Sequence, residues 1–440
     1  MNLDEIYNDL QYYHGFNNHV STEAIVGSLP KTQNSPQVCP YNLYAEQISG
    51  TAFTAPRCKN TFTWLYRIKP SVVHNKLLPT RTGQHHNIIS INDFVTEPNQ
   101  LRWDPRNINV NDNNIDFIKG LEQVCGAGDI SLKDGICIYN YIANKSMKDT
   151  ALCNSDGDFL IVPQEGTLFI QTEMGLLKVE PCEIVVIPRG IKFSIAVNSP
   201  CRGYVLEIFK GHFQLPELGP IGANGLASPR DFQTPTAYYE DRDCSFTIYQ
   251  KFIGKLFTTQ LEYSPFNVVA WQGNYAPYKY DLRKFMTINS VSYDHPDPSI
   301  YTVLTCPSDE PGTAVADFVI FPPRWIVMDH TFRPPYFHRN CMSEYMGMIH
   351  GSYDAKQGGF VAGGASLHSC MVPHGPDTQT FLKASNEELQ PKYFDGGLAF
   401  MFESCYLLKV SPQSLSSTTL QQNYSDCWQA LPNLFRIKEK

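Results

Sequence analysis

The sequence predicts a mainly β protein in two β-rich parts, on three observations. Short β-branched and aromatic runs recur along the chain: Phe159 to Val162, Thr167 to Thr172, Ile184 to Ile187, Phe285 to Ile288 and Phe318 to Phe321. Gly, Pro, Asn and Asp break them, which is the pattern of strands joined by tight turns. Many such strands at short spacing point to sandwich or barrel architecture. Helical signals are few: Leu3 to Tyr13, Ser385 to Gln390 with Ser385 read as a cap before an acidic turn, and Gln421 to Leu431.

A chain of 440 residues is too long for one small core and implies two or three domains. The turn-rich, aromatic stretch from Ser264 to Lys284 is the expected boundary, giving an N-terminal part over 1–283 and a C-terminal part over 284–440. No fixed-period repeat is visible. The formal net charge of −8 argues against a basic field for nucleic acid. No apolar run reaches bilayer length, and Met1-Asn2-Leu3-Asp4-Glu5 has no basic leader or apolar signal core, so no membrane partner is expected. The 13 cysteines are odd in number and contain no C-x-x-C, which reads as reduced thiols in the cytoplasm.

From Gly175 to Gly190 the chain reads strand, turn at Pro181, strand, then Pro188-Arg189-Gly190. This resembles the second half of a cupin jelly roll. Where functional cupins place a metal-binding His, the chain has Ile191-Lys192-Phe193, so the N-terminal part is expected to be cupin-like and metal-less.

Histidine usage singles out the C-terminal part. Six of the 12 histidines lie between His295 and His374, where random placement would put about two. Among them, His338 and Glu344 are six residues apart and His374 lies thirty further on. Two imidazoles and one carboxylate with open positions are the ligand set of iron(II) oxygenases. Six residues of straight strand would separate the first two donors by roughly 20 Å, so the chain must bend between them, and Arg339-Asn340-Cys341 is the expected bend. His374 lies in Pro373-His374-Gly375-Pro376, where the prolines restrict the backbone and the glycine allows close approach. Spacing alone leaves satisfied structural histidines as the competing reading. Zinc hydrolysis lacks its H-E-x-x-H motif.

Other motifs are weaker. Gly126-Ala127-Gly128-Asp129 has two glycines of a dinucleotide fingerprint but no third. Gly358-Gly359 and Gly363-Gly364 lack the Lys-Ser/Thr of a phosphate loop and suggest a turn beside the site. His85-His86 reads as a solvated pair, and no G-x-S-x-G elbow occurs.

Longer stretches carry a resemblance. Phe321-Pro322-Pro323-Arg324-Trp325, Thr331 through Glu344, and Leu367 through Asp377 closely resemble the homogentisate 1,2-dioxygenase family. So do Asn34 to Gln37, Tyr44 to Arg57 and Leu218 to Gly225, so that nearly the whole chain is covered. The resemblance implies a C-terminal jelly roll and Fe(II) held by His338, Glu344 and His374. The substrates it implies are homogentisate and O2, with ring opening to 4-maleylacetoacetate in tyrosine and phenylalanine breakdown. By the same resemblance His295 is the base or an orienting group, Tyr353 and His374 contact substrate, and the assembly is a hexamer of two trimers. His368 and Asn340 are candidates to support the ligands. Two departures stand out: Gly15-Phe16-Asn17-Asn18 replaces the family's Gly-Phe-Gly-Asn, and His350 stands where the family has a basic arginine. A non-catalytic cupin-like binding protein and a gentisate-cleaving dioxygenase are the competing functions.

Overall fold

The computed structural model describes residues 3–80, 88–108, 112, 114–217, 225–288, 301–326, 330–353 and 359–437. Three large sheets lie in layers. The middle layer has nine strands and is centred on Asp158–Glu165, Cys201–Ile208 and Asp134–Ala143. On one side lies a seven-stranded sheet that includes Leu168–Thr172, Gly175–Val179 and Lys192–Ala196. On the other lies a six-stranded sheet containing Ala314–Phe321, Gly397–Ser404, Ser343–Gly351 and Ala365–His368, in that spatial order.

Burial explains the sequence pattern of each layer. Phe159 and Ile161 join a core with Leu168, Ile170 and Phe193 of the seven-stranded sheet. Their neighbours Leu160 and Val162 face the other way, into a core with Phe318, Tyr345 and Phe400 of the six-stranded sheet. A strand buried on both faces reads as a continuous apolar run, as Phe159 to Val162 does. The six-stranded sheet instead has one face on the middle layer and one facing outward. Along Ser343–Gly351, Tyr345 and Ile349 point inward while Glu344, Met346 and Met348 point outward. The two layers approach closely at Gly347, where a side-chain carbon would meet Phe400 at 2.4 Å and Tyr204 at 3.1 Å.

The two parts of the chain interlock. Leu101–Trp103 forms the edge of the six-stranded sheet, and Lys409–Val410 forms an edge of the middle one. The stretch read as a connection is itself sheet: Val268–Gly273 pairs with Phe62–Arg67, and Tyr278–Asp281 pairs with Glu183–Ile187.

Helices differ from expectation. The N-terminal helix spans only Leu3–Tyr7, and Tyr12–His14 has become a strand on the middle sheet. The helix expected from Ser385 runs over Thr378–Asn386. Its cap is Asp377, whose carboxylate accepts from the Thr380 amide at 2.7 Å, while Ser385 bonds back to the Phe381 carbonyl in the last turn. In the tail, only Asp426–Gln429 is helical. Phe285 to Ile288 contributes a two-residue strand, Met286–Thr287. Gly128 belongs to a hairpin in which it faces Gly135, and only a single 3-10 turn, Ile130–Leu132, follows before the chain returns as a strand, so no dinucleotide fold forms there. None of the 13 cysteines forms a disulfide. Asn17, where the resemblance leads one to expect glycine, has φ +55°, a left-handed conformation that Asn tolerates better than most residues. Among the described residues no helix is long and apolar enough to cross a membrane, which says nothing of strands.

Candidate metal centre

Glu344 is the second residue of the strand Ser343–Gly351 and points to the outward face of the six-stranded sheet. His338 lies before that strand, and the chain bends at Cys341–Met342, at the C-terminal end of the expected bend. His338 and His374 form a two-residue antiparallel bridge, His338 N–H donating to the His374 carbonyl at 2.9 Å and His374 N–H to the His338 carbonyl at 3.1 Å. That bridge, and not the spacing alone, places the two imidazoles with ring centroids 4.2 Å apart. It depends on Gly375, since a side-chain carbon there would lie 2.5 Å from the Phe337 ring and 2.9 Å from the Phe337 Cα. The turn leading to His374 holds Met371 at φ +63°, a strained conformation for a non-glycine residue.

The three side chains converge. One ligand atom from each of His338, Glu344 and His374 lies within 4.8 Å of the others, with His338 only part-buried. His374 Nε2 is 2.9 Å from Glu344 Oε2, and His338 Nε2 is 3.6 Å from Glu344 Oε1. Neighbouring donors on a six-coordinate ion with bonds near 2.0–2.2 Å stand about 3 Å apart, so this geometry fits one ion with small adjustments. The outer nitrogens are also committed. His338 Nδ1 lies 2.7 Å from the Tyr336 carbonyl and His374 Nδ1 lies 3.0 Å from the Val372 carbonyl. A carbonyl only accepts, so each Nδ1 carries a proton, and each Nε2 faces Glu344, where it holds either a second proton donated to the carboxylate or, in its place, a metal ion. Burial alone would raise the Glu344 carboxyl, but hydrogen bonds with His338, His374 and Asn340 outweigh it and hold the carboxyl well below the usual carboxylate range.

Supporting groups surround this cluster. His368 is the cross-strand partner of Glu344, and its ring stacks on His374 at 4.1 Å with planes 11° apart. His368 Nε2 meets the Tyr424 hydroxyl at 2.9 Å, and the Arg102 guanidinium lies 4.2 Å above the Tyr424 ring. Asn340 donates to Glu344 at 2.9 Å and to Glu403 at 2.7 Å. Glu403, Tyr424 and Arg102 were missed in the sequence, where nothing local marks them; only strand pairing and the returning tail bring them close.

A small cavity opens on the cluster, walled by Phe321, Met346, Tyr353 and Met401, with His368 also on its lining. Tyr353 is buried, its ring edge-on to Phe321 at 5.5 Å. His350 is exposed and does not line the cavity. His295 lies outside the described residues, as do His85-His86 and Gly358.

Layered sheets with two imidazoles and one carboxylate converging at a largely apolar cavity define a β-sheet protein with a candidate metal centre. Its relatives narrow that class. The family profile described as homogentisate 1,2-dioxygenase N-terminal matches residues 11–282, and the one described as homogentisate 1,2-dioxygenase C-terminal matches residues 283–435. The chain is 56% identical over 434 residues to homogentisate 1,2-dioxygenase of Arabidopsis thaliana, covering 97% of this chain and 94% of the relative. It is 55% identical over 439 residues to that of Dictyostelium discoideum (99% and 100%), and 56% identical over 435 residues to that of Homo sapiens (97% of each). The chain belongs to the homogentisate 1,2-dioxygenase family.

Proposed function

We propose that this chain is a non-haem Fe(II) enzyme that cleaves the ring of homogentisate with O2 to give 4-maleylacetoacetate, in tyrosine and phenylalanine catabolism. The observation that carries the iron reading is the convergence of His338, Glu344 and His374, with both Nδ1 atoms bonded to carbonyls. Nitrogen and oxygen donors of this mix suit iron and leave positions open for substrate and dioxygen. Bound there, the metal would act as a Lewis acid on a substrate oxygen and bring the two reactants together.

The chain's own residues supply the rest. Phe321, Met346 and Met401 wall the cavity and exclude water from the aromatic ring. Tyr353 and His374 contact the substrate, the Tyr353 hydroxyl orienting it by a hydrogen bond. His368 braces the His374 ring by stacking and Asn340 braces Glu344. His295 accepts or steadies the phenolic proton. In the proposed division, residues 1–283 form the scaffold and 284–440 carry the metal. The working assembly is a hexamer of two trimers in the cytoplasm, which sedimentation would check against the mass of a single chain.

The test is anaerobic reconstitution with Fe(II), then oxygen uptake and product absorbance with homogentisate or gentisate. Uptake with homogentisate and little with gentisate is expected. Absence of uptake with homogentisate would sink the substrate assignment.

A further inference from the structure

Glu344 stands in a row of side chains crossing five neighbouring strands. The Cα partners along it are Thr305, Asp317, Glu403, Glu344 and His368. Directly paired residues share a face with their Cβ atoms about 4.5–5.5 Å apart, so three carboxyl groups stand side by side. All three are buried: Asp317 is 7% exposed, Glu403 5% and Glu344 5%. Like charges so placed repel, and the row needs something between its members.

Asn340 fills that place between Glu403 and Glu344. Its Nδ2 is 2.9 Å from Glu344 Oε1 and 2.7 Å from Glu403 Oε1. A carboxylate only accepts, so the amide gives one hydrogen to each. The orientation of the amide is fixed from its other end as well. Asn340 Oδ1 accepts from the Met342 amide at 3.0 Å, and the Asn340 carbonyl accepts from the Met371 amide at 2.7 Å. Turning the amide over would set its oxygen against two carboxylates and lose the Met342 bond.

We infer that Glu403 is a positioning residue for the candidate metal centre, acting on the Glu344 carboxylate through Asn340. The inference rests on the metal reading of His338, Glu344 and His374. Glu403 is not on the cavity lining. Its role is to hold the second hydrogen of the Asn340 amide. The first hydrogen then stays on Glu344 Oε1, and the carboxylate plane stays turned with Oε1 toward His338 and Oε2 toward His374. Released from Glu403, the amide keeps only its Met342 and Glu344 bonds and can tilt about them, and the carboxylate can tilt with it. A ligand that must be re-oriented binds its ion more weakly, and losing such an outer partner costs about 10- to 100-fold in metal affinity.

Titration of the anaerobic, metal-free full-length protein with Co(II), followed by its visible absorption bands, tests this. Glu403→Gln removes the charge, whereas Glu403→Asp keeps it and withdraws the oxygen from Asn340. Both are expected to bind Co(II) about 10- to 100-fold more weakly, with altered bands. The same Glu403 changes made on top of Asn340→Ala are expected to add little, because the link is already cut. Unfolding midpoints of the metal-free variants are measured alongside, and the losses in affinity are expected not to follow them. Affinity and bands within about twofold of the unaltered protein in Glu403→Asp would overturn the inference. So would losses that multiply fully with Asn340→Ala, since Glu403 would then act without Asn340. Failure of the unaltered protein to bind Co(II) or Fe(II) would instead remove the metal reading, and with it anything for Glu403 to position.

Discussion

Asp317→Asn removes the charge from the carboxyl at the far end of the row that contains Glu403 and Glu344. Asp317 is 7% exposed, and its Oδ1 has no hydrogen-bond partner among the described residues. Burial lifts this carboxyl from 3.8 to about 6, opposed by a hydrogen bond with Thr305. The sign follows from which form burial penalises. Well below about pH 4 the carboxyl is neutral in the folded and unfolded chain alike and carries no penalty. As the pH rises from about 4 through 6, the unfolded chain ionises first, and the folded state loses stability until its own carboxyl has ionised. A shift of roughly two units corresponds to about 3 kcal/mol. The amide introduced by Asp317→Asn would leave a buried donor without a partner at a cost of about 1 kcal/mol, so the net gain above about pH 7 is about 2 kcal/mol. Urea unfolding of both proteins between about pH 4 and pH 8 reads this directly. The variant is expected to be more stable at the alkaline end and no more stable at the acid end. An advantage independent of pH, or a variant less stable at the alkaline end, would mean that burial does not penalise the charged Asp317 carboxyl.

Two further substitutions probe the site frame. Gly375→Ala drives a methyl into Phe337, next to His338, and should cost about 1–3 kcal/mol and weaken metal binding by forcing the bridge between the two imidazoles apart; metal titration and urea unfolding check both, and an unaffected variant would show that the close approach is not needed. Tyr424→Phe removes the hydroxyl 2.9 Å from His368 Nε2 and should cost about 1 kcal/mol, with a smaller effect on metal affinity than any ligand substitution; a loss of metal binding as large as that of His374→Ala would mean that Tyr424 does more than brace His368.

Much of the centre was legible because its chemistry is local in type even where it is not local in space. His338, Glu344 and His374 stood out by donor mix and histidine density, and the required bend follows from strand rise alone. Their mutual placement was not legible, because it depends on a two-residue bridge between segments 36 residues apart and on Gly375 letting Phe337 approach. Glu403 illustrates the limit: on sequence it is one acidic residue in an apolar run, and only the pairing of Ser343–Gly351 with Gly397–Ser404 sets it beside Glu344. Apolar runs announced the strands of the middle layer, since both faces are buried, but could not show that Leu101–Trp103 crosses to the other sheet. The helix after His374 was misplaced because Ser385 looked like a cap, while Asp377, a stronger one by its geometry, sits directly after the proline motif.

Iron K-edge X-ray absorption of the anaerobic, Fe(II)-loaded protein reads the donors around the ion in place. One iron per chain is expected, with two imidazoles and oxygen donors near 2.0–2.2 Å, one imidazole fewer in His338→Ala, and no sulfur among the donors. Iron held equally well in His338→Ala with an unchanged spectrum, or a sulfur donor near 2.3 Å, would contradict it.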